Sequence, residues 1–247
     1  IMGWKEDFNM AILDSIPAQS LAVEYLNKVI PHLNNDIYVG GHYKGGNLAY
    51  YGSVFCKHKY QKRIKKIFNH DGPGFQSNIL NDDRFIAIKE RCYKTIPQDS
   101  LIGILLYTNK EYTIVKSTSL GPLQHDPFSW QIDMKKGDFQ YCDKNTFMSK
   151  VNDKAIVEWV ENLTLDQKKT IINTLFNCFS KANIINVKDL LNLPFLKIGS
   201  LIGAATTIDK KDRDIVIKAL WSLFKIWNKV SGEKRKENKI EKLANDI

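Results

Sequence analysis

No run of about 18 uninterrupted apolar residues occurs in this 247-residue chain, and its longest apolar patches are broken by Lys, Asp or Asn. A membrane-spanning helix is therefore not expected. The opening stretch IMGWKEDFNMAILDSIP lacks the basic start, the continuous apolar core and the small-residue cleavage site of a secretory signal, so this stretch is not expected to be one. It reads as the interior of something longer. Cysteine is sparse: Cys56, Cys92, Cys142 and Cys178 form no C-x-x-C pair, and no histidine stands at zinc-ligand spacing. Neither a metal site nor any other cofactor is expected, and reduced, buried thiols point to a cytoplasmic protein. Acidic residues are outnumbered, 27 Asp and Glu against 36 Lys and Arg, for a net charge of +9. The excess gathers in KHKYQKRIKK (57–66) and GEKRKENKIEK (232–242), and neither segment has the aromatic interleaving of a nucleic-acid module. Solvated lysine-rich surface is the expectation, with no nucleic-acid partner.

What is present is enough for one substantial core and a small satellite, at 43% hydrophobic and 11% aromatic content. Residues 15–33 predict a helix that opens at Pro17 and closes before Pro31, with Leu21, Ala22, Tyr25, Leu26 and Val29 on one face. DIYVG (36–40) predicts a buried strand, GGNLAYYGSVFCKHK (45–59) a helix, IKKIFNHD (64–71) a strand, DDRFIAIKERC a helix and YKTIP (93–97) a strand. LIGILLY and YTIVKS, parted by TNKE, predict a β-hairpin. Strands alternating with helices imply a largely parallel sheet flanked by helices.

After Asp143 no strand is expected. Residues 164–182 and 209–230 predict helices, the first with capping-box spacing between Thr164 and Gln167. On the second, Val216, Leu220, Leu223, Phe224 and Trp227 form an apolar stripe. A core-facing role is expected for it, with weak membrane-surface contact as the alternative. The expected organisation is an α/β core over 1–143, a helical region over 144–230 and a disordered basic tail over 231–247.

Chemistry concentrates at GGHYKGGNLAYYG (40–52), between the predicted strand and helix. In serine hydrolases of the α/β type, a G-x-S-x-G bend lifts the nucleophile above the sheet, and the next backbone N–H supplies part of an oxyanion hole. Gly41 and Gly45 are the flanking glycines here, Tyr43 holds the apex and Lys44 carries the N–H in question. The order nucleophile, acid, histidine along the chain is met by Tyr43, then Asp99 after the YKTIP strand, then His125 in LGPLQHDPFSW. Asp71 competes for the acid role. The plainer reading of both carboxylates is turn and cap chemistry, and of His125 a loop histidine bonded to backbone.

GWKEDFNM, PAQ, GHYKGGNLA, NHDGPGF, IPQDSLIG and QHDPFSW, in this order over residues 2–133, resemble the bacterial Mbeg-type family. This is a largely uncharacterised group placed in the α/β-hydrolase superfamily near class-3 lipases. The resemblance implies a turn of the form G-H-S-K-G-G-N-L-A, so Tyr43 stands where serine is expected and His125 matches the catalytic histidine. A small polar residue often occupies the Asp99 position in that family, which keeps Asp71 open as the acid. It also implies about a hundred further residues before GWKEDF, in keeping with ordinary domain sizes.

Tyrosine alters the mechanism. Its hydroxyl lies across a rigid ring, whereas serine's sits one carbon from the backbone, so a histidine placed for one is out of reach of the other. A phenol with a pKa near 10 needs strong activation by Lys44 or His42 to act as a nucleophile. The expectation is a hydrolase-type site inactive toward esters, or a non-catalytic module that keeps the pocket for an ester or lipid-like small molecule.

Overall fold

The computed structural model describes residues 15–75, 77–100, 103–104, 112–142, 147–182 and 206–245, together with residues 6, 9, 10, 13 and 203. The chain divides into two compact units, Ser15–Val157 and Ile1–Asp14 with Glu158–Ile247. The boundaries read from sequence, at 143 and 230, differ from this division. Val151 and Ala155, early in a helix that sequence reading did not single out, are fully buried within the first unit.

The first unit is a mixed α/β fold on a five-stranded, mostly parallel sheet. Helix α1 (Pro17–Val29) leads through a 3-10 turn to β1 (Ile37–His42), and helix α2 (Lys44–Phe55) follows at once. The remaining strands of the sheet are β2 (Ile64–His70), β3 (Cys92–Pro97), β4 (Thr113–Val115) and β7 (Tyr141–Cys142). Their order is β1-β2-β3-β4-β7, parallel up to β4, with β7 antiparallel at the edge. A separate ribbon pairs β5 (Ile132–Asp133) with β6 (Asp138–Phe139). The core joins Ile37, Ile64 and Ile67 of the sheet to Ala49, Tyr50 and Val54 of α2 and to Leu26 and Ile30 from the α1 side. Burying such side chains stabilises the fold by about 1.5–3 kcal/mol each. Helix α1 approaches α2 at Gly52, where an added Cβ would stand 3.0 Å from Leu26.

The strands expected at 36–40, 64–71 and 93–97 are all present, the first running on to His42. The helix expected around 82–92 is two short pieces, Asp83–Ile86 and the 3-10 turn Lys89–Arg91. Of the predicted hairpin, most of its first strand lies outside the described residues, where only Gly103 and Ile104 are seen, in a turn. Its second strand is β4, which pairs in parallel with β3.

In the second unit, α3 (Phe147–Asn162) ends, α4 (Leu165–Lys181) follows, and α5 (Lys210–Asn245) is the longest helix described. The capping box forms: Thr164 Oγ1 accepts from Gln167 N–H at 3.2 Å, and Gln167 Oε1 accepts from Thr164 N–H at 2.9 Å. Trp159 Nε1–H donates to the Ala219 carbonyl at 2.8 Å, and Lys229 pairs with Glu158 at 3.0 Å. Two expectations are corrected here. Residues from Ser231 onward are helical through Asn245, because Val230 and Ser231 are buried and the Glu-, Lys- and Arg-rich continuation favours helix. The apolar stripe faces the core on one side only: Val216, Leu223 and Trp227 are half-buried while Leu220 and Phe224 are exposed, and Ala219 and Val230 are the fully buried apolar positions among the described residues of the helix. At 100° per residue the buried face is turned about 70° from the stripe.

No described helix is long and apolar enough to cross a membrane.

Candidate active site

Strand β1 ends at His42, Tyr43 turns the chain, and α2 starts at Lys44. Tyr43 has φ 57° and ψ −127°, a left-handed conformation that non-glycine residues adopt at a cost of about 1–3 kcal/mol. Its neighbours hold it there. Tyr43 N–H donates to the His70 carbonyl at 2.9 Å, and its own carbonyl accepts from Gly46 N–H at 3.0 Å. A Cβ on Gly41 would fall within 3.0 Å of the Gly45 backbone, and one on Gly72 would fall equally close to the Tyr43 carbonyl. Strand, turn and helix therefore pack backbone to backbone. At Gly45, the second flanking glycine, an added Cβ would meet nothing within 4 Å, so glycine is not sterically required there. The N–H of Lys44 belongs to the first turn of α2.

Asp71 follows β2 directly, also at positive φ (51°), and is fully buried. Its backbone N–H donates to the Thr95 carbonyl at 2.8 Å, continuing the pairing with β3. Three donors converge on its carboxylate: Ser100 Oγ–H, Gly103 N–H at 3.1 Å and His125 Nδ1–H at 2.7 Å. Gly103 N–H also reaches Ser100 Oγ at 2.9 Å. A buried carboxylate needs such partners to remain charged. A proton on Nδ1 leaves Nε2 of His125 as the basic nitrogen.

His125 closes a 3-10 turn (Gly121–His125) and is about one-third exposed. Its ring meets that of Tyr43 edge to face, centroids 4.9 Å apart, and that of His42 at 4.7 Å. His42 donates Nε2–H to the His125 carbonyl at 2.9 Å. Burial, and after it the neighbouring His125, holds the His42 pKa below the usual histidine value, which keeps that N–H on a neutral ring. Burial likewise depresses His70, whose Nδ1 is buried with no hydrogen-bond partner among the described residues.

The structure thus brings Tyr43, His125 and Asp71 together. Asp99, the acid preferred from sequence, does not take the place beside the imidazole. Its N–H donates to Gln124 Oε1 at 3.0 Å and its Oδ2 accepts from Gln124 Nε2 at 2.9 Å. The reason is geometric: Asp71 leaves the end of the inner strand β2, whereas Asp99 lies in the turn after β3 and clasps the residue before His125. Trp130 Nε1–H, donating to the Gln124 carbonyl at 2.8 Å, holds the other side of that turn.

Sequence reasoning missed Ser100, Gly103 and Gln124, although each lies inside a quoted signature. The signal was available in the convergence of those signatures. Gln19 of PAQ donates Nε2–H to Asn47 Oδ1 of GHYKGGNLA at 2.8 Å. Asn47 Nδ2 in turn donates to the Pro73 and Gly74 carbonyls of NHDGPGF at 3.2 and 2.9 Å. IPQDSLIG supplies Ser100 and Gly103 to Asp71, and QHDPFSW supplies His125. Five of the six signatures thus knit one bonded network around the bend.

Neither a curated protein nor a solved structure matches this chain. The profile of the Mbeg1-like family matches residues 1–177, and on that match the chain belongs to the Mbeg1-like family.

Proposed function

We propose that the first unit is an α/β-hydrolase-type fold related to class-3 lipases, with Tyr43 at the nucleophile position, His125 as the general base and Asp71 as the acid that orients it. Asp99 becomes a positioning residue for the histidine turn. The observation that carries this reading is the strand-to-helix bend at Tyr43 lying edge-on to a histidine whose Nδ1 is 2.7 Å from a fully buried aspartate. The four cysteines, all free, fit a cytoplasmic setting.

With serine at position 43, the hydroxyl would attack an ester carbonyl carbon while His125 Nε2 takes its proton. The tetrahedral oxyanion would face the Lys44 N–H, and one such donor is worth about 2.7–4 kcal/mol in the transition state. The alcohol leaves with the proton from His125. Water then attacks the acyl carbon and gives a proton to the imidazole; the bond from that carbon to the serine oxygen breaks, the oxygen takes the proton back from His125, and the carboxylic acid departs. With tyrosine present, the ring fills the space beside His125 and its phenol lies several bonds farther out, so the natural chain is inactive toward esters.

The test is Tyr43→Ser, assayed on short- and long-chain p-nitrophenyl esters. Hydrolysis that appears with serine and vanishes with an added His125→Ala supports the reading. Inactivity of a well-folded Tyr43→Ser protein on every ester favours a second reading: a binding module in which the Tyr43 ring, already packed against His125, stacks on a bound ester or lipid-like molecule.

A further inference from the structure

The helix α5 in the second unit carries two properties that the site in the first unit does not use. Ile217, Leu220, Trp221 and Phe224 recur at i, i+3, i+4 and i+7, the spacing of one helical face. All four are exposed, at 47%, 55%, 60% and 56%. The buried positions Ala219 and Val230 lie on another side of the helix, so these four large side chains stand off its buried face. The second property is charge. Lys210–Asn245 holds eleven Lys and Arg against five Asp and Glu, a net +6 out of +9 for the whole chain. Lys218 and Lys225, both exposed, border the apolar stripe on one flank. Arg235 and Lys239, also exposed, continue its line toward the C-terminal end, at about 0–40° from Ile217 on the helical wheel.

We infer that this face of α5 is a docking surface for an anionic lipid bilayer. An apolar strip bordered by lysines matches the two layers such a surface presents, acyl chains below and negatively charged headgroups above. Trp221, set edge to face with Phe224 at 5.7 Å, is the side-chain type that settles at the headgroup boundary. Charge distinguishes this occupant from a second copy of the chain, since pairing two faces of the same positive sign sets like charges against each other. A polyanion without an apolar layer, such as nucleic acid, leaves the strip in water. The helix lies in the surface plane and does not cross it, in agreement with its many charges. The inference concerns the second unit alone and stands apart from the hydrolase reading.

The experiment is co-sedimentation of the full chain with phosphatidylcholine vesicles and with vesicles containing phosphatidylglycerol, at low and high salt. Three proteins are compared: the natural chain, Trp221→Ser/Phe224→Ser and Lys218→Glu/Lys225→Glu. All four positions are exposed, and circular dichroism checks that helix content is kept. The expected result is binding to anionic vesicles only, weakened by salt, and at least about tenfold weaker in each double variant, each lysine contributing about fivefold. A Trp emission blue shift on binding that is lost in the first variant supports insertion of the strip. The inference is overturned by absence of binding, by equal binding to neutral vesicles, by variants that bind like the natural chain, or by a stripe-dependent dimer that binds no lipid.

Discussion

Replacing the two flanking glycines of the bend gives opposite results if the chain turns as described. In Gly41→Ala the new methyl is forced within 3.0 Å of the Gly45 backbone, which cannot swing aside as a side chain would. Helix α2 must lift from β1, at an overpacking cost of about 1–3 kcal/mol. For a unit of this size that lowers the melting temperature by roughly 2–12 °C. In Gly45→Ala the methyl meets nothing within 4 Å and sits in the first turn of α2. The gain there is about 0.4–1 kcal/mol, from the smaller entropy of the unfolded chain and the better helix propensity of alanine. Its melting temperature should rise by roughly 1–4 °C. Thermal unfolding monitored by circular dichroism, with amide exchange at β1 and α2, makes the comparison. Equal effects of the two substitutions, or a neutral Gly41→Ala, would falsify the close strand–helix approach.

Further outcomes follow from the polar network. In a Tyr43→Ser background, Asp71→Asn should cut ester turnover by about 10⁴-fold because the amide favours the wrong imidazole tautomer, while Asp99→Asn should cost far less. The reverse order in a kcat comparison would return the acid role to Asp99. Ser100→Ala removes a hydrogen bond to a buried carboxylate and should destabilise the first unit by about 1.5–3 kcal/mol in urea titrations; an unchanged midpoint refutes that bond. His42 and His70 have folded pKa values depressed by burial, so the unfolded chain takes up their protons first. Stability is therefore full above about pH 6.5, the ordinary histidine value, and falls as pH drops below it. Replacing His70 by Asn should flatten that acid limb, and a limb of unchanged slope counts against the assignment.

How far the sequence revealed this molecule depended on the range of each signal. Strands β1, β2 and β3 were legible because each joins β-rich residues to a turn, and the Thr164 cap because its partners lie three residues apart. Strands β5, β6 and β7 have two residues each, too few for any alternation to register. The bend at Tyr43 was local and was found. The carboxylate beside His125 was legible only as one of two alternatives, since Asp71 and Asp99 both follow parallel strands, and only the register of β2 beside β3 together with the path of the histidine turn decides which carboxylate faces His125. Leu220 and Phe224 announced an amphipathic helix correctly, but a periodic stripe does not say which side a neighbour covers. Helix α5 ran past its expected end because its charged residues are good helix formers as well as good solvators.

The central claim is that position 43 and the Asp71–His125 pair form one reactive constellation, and covalent trapping tests it most directly. Tyr43→Ser treated with a fluorophosphonate and digested for mass spectrometry should carry one phosphonyl group on the peptide containing residue 43. His125→Ala and Asp71→Asn should each abolish the label. A label elsewhere in the chain, or one at residue 43 that persists without the imidazole, contradicts the claim.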